Sequence, residues 1–317
     1  MQSPVVHGGD VDRRRITFGQ IDGTWADLGT AAGAQRLGLR RAELEPHGRS
    51  TPAHIHSGEE EIVHVLEGAG FSWQNGETYA IGAGDSVVHV VSGPAHTLLA
   101  GPDGMTVLIF GERADSEACY LPRANVSWLG ESWVKAGDTP HPFAQEAAAG
   151  PIELGEPSAR PSSIVNLSAV DAVKMDRGDT GLTMQDVGTA AGSRRTGLRR
   201  FVLEPGRCTV PPHCHSREEE LYVVLDGAGE YLLQDPPVRG DWSPLSYPVT
   251  AGDVVAAPAS TGLAHTFRAG PDGLVFLTYG HRDGGDIRWY PRSGKVAFPG
   301  LQLVGRFEPS GYWDGEE

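Results

Sequence analysis

An all-β chain built as one unit written twice is what the sequence predicts, and three observations carry that prediction. The first is self-similarity. Asp27 opens DLGTAAGAQRLGLRRAELEP and Asp186 opens DVGTAAGSRRTGLRRFVLEP, a shift of 159 residues. The same shift joins His54 to His213, His56 to His215, Glu61 to Glu220 and Gly68 to Gly227. A second block, HTLLAGPDGMTVLIFGERAD from His96, returns as HTFRAGPDGLVFLTYGHRDG from His265. Matching blocks in matching order mark a tandem duplication. The second observation is composition: 43 Gly and 23 Pro in 317 residues, with 39% hydrophobic residues, suit short strands and turns around a real core. The third is patterning. Runs such as GDSVVHVV, TVLIFGE, GDVVAAP and LVFLTYG are β-branched and aromatic over four to six residues, and long 3.6-residue apolar periods are absent.

Each copy then reads in order. VVHVLEGAGFSWQ and LYVVLDGAGEYLLQ are strand runs interrupted by Gly-Ala-Gly, which reads as a hairpin. The second copy is longer by ten residues, mostly around Gln234 to Tyr247, a Pro-rich stretch expected to form an enlarged loop. Between the copies, Pro140 to Ser163 is rich in Ala, Pro, Gly and Glu without strand alternation, and reads as an inter-domain connection. The boundary falls near residue 155, giving domains 1–150 and 151–317. The tail from Phe307 carries Tyr312 and Trp313, either disordered or packed onto the body. Two all-β units of this size fit sandwiches or small barrels.

Charge and cysteine content narrow the function. With 41 acidic against 26 basic residues the formal net charge is −15, which argues against nucleic acid or an anionic membrane surface as partner. No run of 18 apolar residues exists, and three scattered cysteines suit a reducing cytosol. Twelve histidines against three cysteines direct attention to nitrogen and oxygen ligands.

On a strand, residues i and i+2 face the same way, so His54-Ile55-His56 and His213-Cys214-His215 each aim two imidazoles at one point. Glu61 and Glu220 follow five positions later, and His96 and His265 come after the Gly84-Asp85 and Gly252-Asp253 turns. Three imidazoles and one carboxylate suit a divalent Fe, Mn, Ni, Co or Zn ion, one in each unit. Cys214 points away from its flanking histidines, and Cys119 and Cys208 read as ordinary buried thiols.

These residues resemble the cupin superfamily. Gly48-RSTPA-His54-Ile-His56-SGEE-Glu61-IVHVLE-Gly68 matches the first motif of that family throughout, and Gly206-RCTVPP-His213-Cys-His215-SREE-Glu220-LYVVLD-Gly227 differs by one extra residue. The second motif is looser: the spans from Gly84-Asp85 to His96 and from Gly252-Asp253 to His265 are one and two residues longer than usual. The usual Pro is kept as Pro258 but is Val90 in the first copy, and Ala100 and Ala269 stand where Asn often follows the last His. The resemblance implies two tandem double-stranded β-helix (jelly-roll) barrels, with His54, His56, Glu61 and His96, and His213, His215, Glu220 and His265, as metal ligands. Within the triplets Glu59-Glu60-Glu61 and Glu218-Glu219-Glu220, the six-residue gap to Gly selects Glu61 and Glu220. Alternation turns Glu60 and Glu219 to the other face, toward solvent.

Candidate catalytic residues lie nearby. Arg40 and Arg199 share a face with Leu44 and Leu203, so each either points inward to hold a substrate carboxylate or sits at the rim in an ion pair. His64 and His89 stand opposite Val223 and Ala257 in the other copy, which makes them acid/base candidates peculiar to the first unit. Tyr222, Tyr231, Trp73 and Tyr79 either line pockets or pack. The expected activity is metal-dependent chemistry on a small carboxylate or enediol, first of all a dioxygenase-type oxidation. The alternatives are non-redox decarboxylation, lyase or isomerase chemistry, and a non-catalytic small-ligand-binding protein. Exposed barrel edges suggest a homodimer.

Overall fold

The computed structural model describes residues 3–114, 116–129, 132–133, 141–234, 243–307, 310 and 313–316. It holds two eight-stranded and two four-stranded sheets. In the first barrel the large sheet runs Asp85–His89, Glu61–Gln74, His96–Glu112, Leu37–Leu44, Ile21–Asp27, Arg13–Phe18, with Glu77–Gly82 paired onto Glu61–Gln74. The second repeats it as Asp253–Ala257, Glu220–Gln234, Ala264–His281, Thr196–Leu203, Thr180–Asp186, Ala172–Arg177, with Leu245–Thr250 in the side position. The small sheets end in the two-residue strands Ile55–His56 and Cys214–His215, which carry the second histidine of each pair; His54 and His213 lie just before them.

Each large sheet is completed by a strand from the other repeat. Val5–His7 pairs antiparallel with Asp253–Ala257, and Ile164–Asn166 pairs with Asp85–His89. The exchange buries Ile164 in the first barrel, and places His7 Nδ1 2.8 Å from Asp253 Oδ1 in the second. The connection preceding Ile164 is not a bare linker. Pro142–Ala148 forms a helix whose fully buried Glu146 meets Arg49 and Arg123, each at 3.1 Å. Farther on, Arg160 grips Asp85 through two contacts of 2.9 and 2.8 Å.

The strands are longer than the sequence runs imply, because each bends instead of ending. Glu61–Gln74 passes straight through Gly-Ala-Gly, with pairing irregularities at 65/67 and 68/70. Gly68 has φ +79°, and a Cβ on Gly70 would run into the Leu99 carbonyl, so these glycines serve a bulged bend and close backbone approach. The hairpin turn lies later, at Asn75-Gly76, where both residues have positive φ. His96–Glu112 and Ala264–His281 likewise run 17 and 18 residues.

The three larger apolar clusters follow from strand alternation. Val63, Val65, Leu98 and Val107 fill the first barrel, and Tyr222, Tyr231, Phe267 and Phe276 the second. The outward-facing partners Leu37, Leu39, Ile62 and Phe110 pack against Leu198, Leu221, Leu277 and Tyr279, joining the barrels through a shared core. Each such side chain removed from water contributes about 1.5–3 kcal/mol.

Glu60 and Glu219 lie on this joining face, not in solvent. Alternation does turn them away from Glu61 and Glu220, but both are 1% exposed because the outer face is covered by the other barrel. Glu219 accepts from the backbone N–H groups of Gln35, Arg36 and Leu37 at 2.8, 2.6 and 2.8 Å. Glu60 accepts from the Arg194 and Thr196 N–H groups and from the Ser193 and Thr196 hydroxyls. The ten-residue insertion falls largely on residues 235–242, and Tyr312 likewise lies outside the described residues; Trp313 is exposed.

Candidate metal centres

His54 and His56 come from the segment before the strand Glu61–Gln74, Glu61 from the first residue of that strand and His96 from the first residue of His96–Glu112. An antiparallel bridge pairs His54 with His96, and a second pairs His213 with His265. One ligand atom from each of His54, His56, Glu61 and His96 lies within 4.8 Å of the others, and the same holds for His213, His215, Glu220 and His265. In the first group the Nε2 atoms of His54 and His56 are 3.2 Å apart, and Glu61 reaches His56 and His96 at 3.7 and 3.6 Å. In the second, Glu220 Oε2 is 3.4 Å from His215 Nε2 and 3.2 Å from His265 Nε2.

The imidazoles are oriented as ligands require. Nδ1 of His54, His96 and His213 faces the carbonyls of Pro52, Pro94 and Pro211 at 2.8, 3.0 and 3.0 Å. A carbonyl can only accept, so Nδ1 carries the proton and the Nε2 lone pair is left facing the centre. His56 and His215 instead turn Nδ1 to carboxylates, Glu117 at 3.1 Å and Asp286 at 2.8 Å. Such partners fix the ring and raise its basicity. Burial opposes that rise, but Glu117 with Glu61, and Glu220 with Asp286, outweigh it and lift His56 and His215 to about 10. His54 and His213 go the other way, to about 3, through burial and the neighbouring histidines. Burial also opposes ionisation of Glu61 and Glu220, yet their histidine partners hold both carboxyls well below the usual range.

The fit to a metal is direct. Nε2 of His96 and of His215 are buried without a hydrogen-bond partner among the described residues. Buried imidazole nitrogens that make no hydrogen bond, 3.6 and 3.4 Å from the ionised Glu61 and Glu220, are unfavourable unless a cation sits between nitrogen and carboxylate. Each barrel therefore forms a site for one divalent transition metal, with three nitrogen donors and one carboxylate.

The second centre opens into a cavity of about 160 Å³. Registers place its lining in rows across three strands. Glu220 pairs with Gly280 and Gly280 with Gly197; Tyr222 pairs with Thr278 and Thr278 with Arg199; Val224 pairs with Phe276 and Phe276 with Phe201. Arg199 thus lines the pocket, while its Nε donates to Asp186 at 3.1 Å, so inward placement and rim ion pair hold together. The Tyr222 hydroxyl donates to Glu220 at 2.6 Å and stands 3.1 Å from His265 Nε2. Burial and the Glu220 charge push its pKa well above the ordinary value, so it keeps its proton.

The other sequence candidates separate. His89 lies beside the first centre, stacked on His96 with ring centroids 3.6 Å apart; burial and His96 hold its pKa well below the ordinary value. His64, contrary to expectation, is not at the metal. It is three residues from Glu61, hence on the outer face, where it hydrogen-bonds Ser86 at 2.8 Å and feels Asp85 and Arg200. Arg40 occupies the place of Arg199 but is exposed. Trp73 and Tyr79 pack in apolar clusters, and Tyr231 packs in the second barrel's core with its ring centroid 6.1 Å from that of His265, also bordering a separate hollow of about 230 Å³. Glu117 and Asp286 escape sequence reasoning. They lie 61 and 71 residues from their histidines and differ in acid type, so spacing carries no signal. Cys119 and Cys214 are buried free thiols, and Cys208 is partly buried.

Two tandem β-barrels, each with a three-histidine, one-glutamate centre, define a duplicated metal-binding barrel protein. A family model described as "Cupin domain" matches residues 40–107 and 199–278, and the chain belongs to the cupin superfamily as a bicupin. Oxalate decarboxylase from Bacillus subtilis, as a deletion mutant, superposes with TM-score 0.58 at 15% identity, over 88% of this chain and 77% of that one. Oxalate decarboxylase from Lactobacillus farciminis, in a formate complex, gives 0.58 at 15% over 88% and 86%. Vicilin from hazelnut, Corylus avellana, gives 0.56 at 17% over 91% and 88%. No curated sequence matches the chain significantly. Among the described residues no helix is long and apolar enough to cross a membrane.

Proposed function

We propose that the protein is a metal-dependent lyase that decarboxylates a small carboxylic acid in its second barrel. The observation that carries this reading is the inward row Tyr222–Thr278–Arg199 beside Glu220 and His265. It sets a proton-bearing hydroxyl and a guanidinium in one pocket with the metal ligands. The likeness in fold to two decarboxylases supports this non-redox alternative over the oxidation expected first. Three free cysteines suit a reducing cytosol.

A bound divalent ion would supply a Lewis acid that polarises a carboxylate or carbonyl oxygen. The protein's own groups do the rest. Asp186 holds Arg199 through Nε, leaving the terminal nitrogens to face a substrate carboxylate. Gly197 and Gly280 keep the row over Glu220 free of side chains; a Cβ at Gly280 would come 3.2 Å from the Glu220 side chain. Phe201 and Phe276 exclude water from one wall. When the carbon–carbon bond breaks, the electron pair stays on the substrate carbon and carbon dioxide leaves. Tyr222 Oη then gives its proton to that carbon and regains one from solvent.

In the first barrel Val63 and Ile109 replace Tyr222 and Thr278, so no equivalent donor faces Glu61. We read that ion as structural, with His89 packed against its ligand. The test is to supply a panel of small carboxylic acids and measure carbon dioxide release together with net oxygen uptake. Release without net uptake is expected. Stoichiometric uptake would return the reading to oxidation, and binding without turnover would make the protein a small-ligand carrier.

A further inference from the structure

The wall beside Arg199 narrows the acid. Phe201 and Phe276 stack with centroids 5.4 Å apart and an interplanar angle of 23°, and Phe267 lies 4.9 Å from Phe276 and 4.8 Å from Tyr222. The first barrel has Ala42, Val107 and Leu98 at these places, so the rings are a property of the second pocket and not of the shared frame. All four aromatic side chains line the same cavity as Arg199. Its volume of about 160 Å³ is shared with the metal ligands and Arg199, so the group against this wall is no larger than the one ring that a ~150 Å³ cavity holds. Arg199 commits only Nε, whereas Arg282 is already bound to Asp186, Thr189 and Ser193, and Arg288 to Glu218 and Asp286. One uncommitted guanidinium end favours one carboxylate. A two-carbon diacid would leave the aromatic wall unfilled.

Resting on the carboxylate reading of this site, we propose that the substrate class is a monocarboxylate bearing one ring or a group of similar size. Its carboxylate lies toward Arg199 and its ring against the half-buried Phe201, which the buried Phe276 and Phe267 back from the core. Flat rings suit this wall because offset stacking adds to area burial.

Calorimetric titration of the metal-loaded full chain with benzoate, cyclohexanecarboxylate, acetate, oxalate and benzamide tests this. Benzoate and cyclohexanecarboxylate should bind at least about tenfold tighter than acetate or oxalate, and benzamide at least about tenfold weaker than benzoate. Phe201→Ala, and the better-packed Phe201→Leu, should remove most of the ring acids' advantage while leaving acetate unchanged. Arg199→Gln should weaken every acid together. Ring acids no tighter than acetate, with acetate still dependent on Arg199, would overturn the ring assignment and leave the carboxylate site standing. Indifference of all acids to Arg199→Gln would overturn both.

Discussion

In the first barrel Glu61 stands between Gly111 and His89, and the next inward row is Val63, Ile109 and Arg40. In the second, Glu220 stands between Gly280 and Ala257, followed by Tyr222, Thr278 and Arg199. Strand registers, glycines and ligand types coincide at the two centres, and within the pockets the divergence lies in the wall around them. Coordination constrains four side chains and the backbone that aims them, so those positions vary together or not at all. The wall residues touch whatever else enters the pocket, and their differences show where two copies of one frame have parted in use. The first wall is aliphatic and closes on its own histidine; the second is aromatic and keeps a hydroxyl and a guanidinium facing the centre.

Loss of a metal ligand is the largest way to break this contrast. His54→Ala and His213→Ala should each remove about one metal equivalent from the chain by elemental analysis. Turnover should disappear only in His213→Ala. Loss of turnover in both, with one ion still bound in each, would mean that the first centre also reacts. Next comes Tyr222→Phe, which keeps the ring packing and removes the proton donor. A drop in kcat of about 10²–10⁴-fold is expected, with metal content unchanged. The mirror change Val63→Ala should leave kcat unaltered. Equal kcat in Tyr222→Phe and the parent would put the proton transfer elsewhere.

Much of this contrast is legible in the order of the residues alone, because metal ligation leaves its signature in local spacing. The His-x-His pairs, the glutamates and the distant histidines all lie where their residue types and order place them. What the sequence conceals depends on contacts between segments far apart. Glu60 reads as solvent-facing because alternation reports which face a residue is on, not what covers that face. His64 reads as catalytic because asymmetry between copies reports difference without location. Only the sheet register sets it against Ser86, where the second barrel sets Val223 against Val254. Gly-Ala-Gly reads as a turn because a bulged bend and a hairpin ask for the same residues.

The joining face gives a smaller effect with its own asymmetry. Glu60→Gln and Glu219→Gln each weaken charge-assisted hydrogen bonds to the opposite barrel and should cost about 2 kcal/mol. Their pH behaviour sharpens the comparison. Burial opposes ionisation of Glu60, but Ser193, Thr196 and Arg194 outweigh it and lower its pKa in the folded protein. A depressed folded pKa gives stability that is full above the unfolded value, about 4.3, and is lost as pH falls through the folded one. Denaturation followed from neutral pH into the acid range should therefore show a shallower acid loss in Glu60→Gln than in the parent. An unchanged acid slope would mean that Glu60 adds nothing pH-dependent to the joint.

Arg40 supplies the smallest effect and the closest control. It holds the same register position as Arg199, across from Ile109 where Arg199 faces Thr278. Its strand neighbour Asp27 pairs with Arg113, as Asp186 does with Arg282, but Arg199 adds a second contact to Asp186 that Arg40 does not make to Asp27. Arg40 is exposed, so its removal should change stability by no more than about 0.5 kcal/mol. Arg40→Gln should also leave turnover and acid affinity at parent values while Arg199→Gln lowers both. Equal losses in the two variants would mean that a guanidinium at this place serves the common frame. Loss at Arg199 alone makes it part of what distinguishes the second pocket, and separates by measurement what the duplication preserved from what it allowed to change.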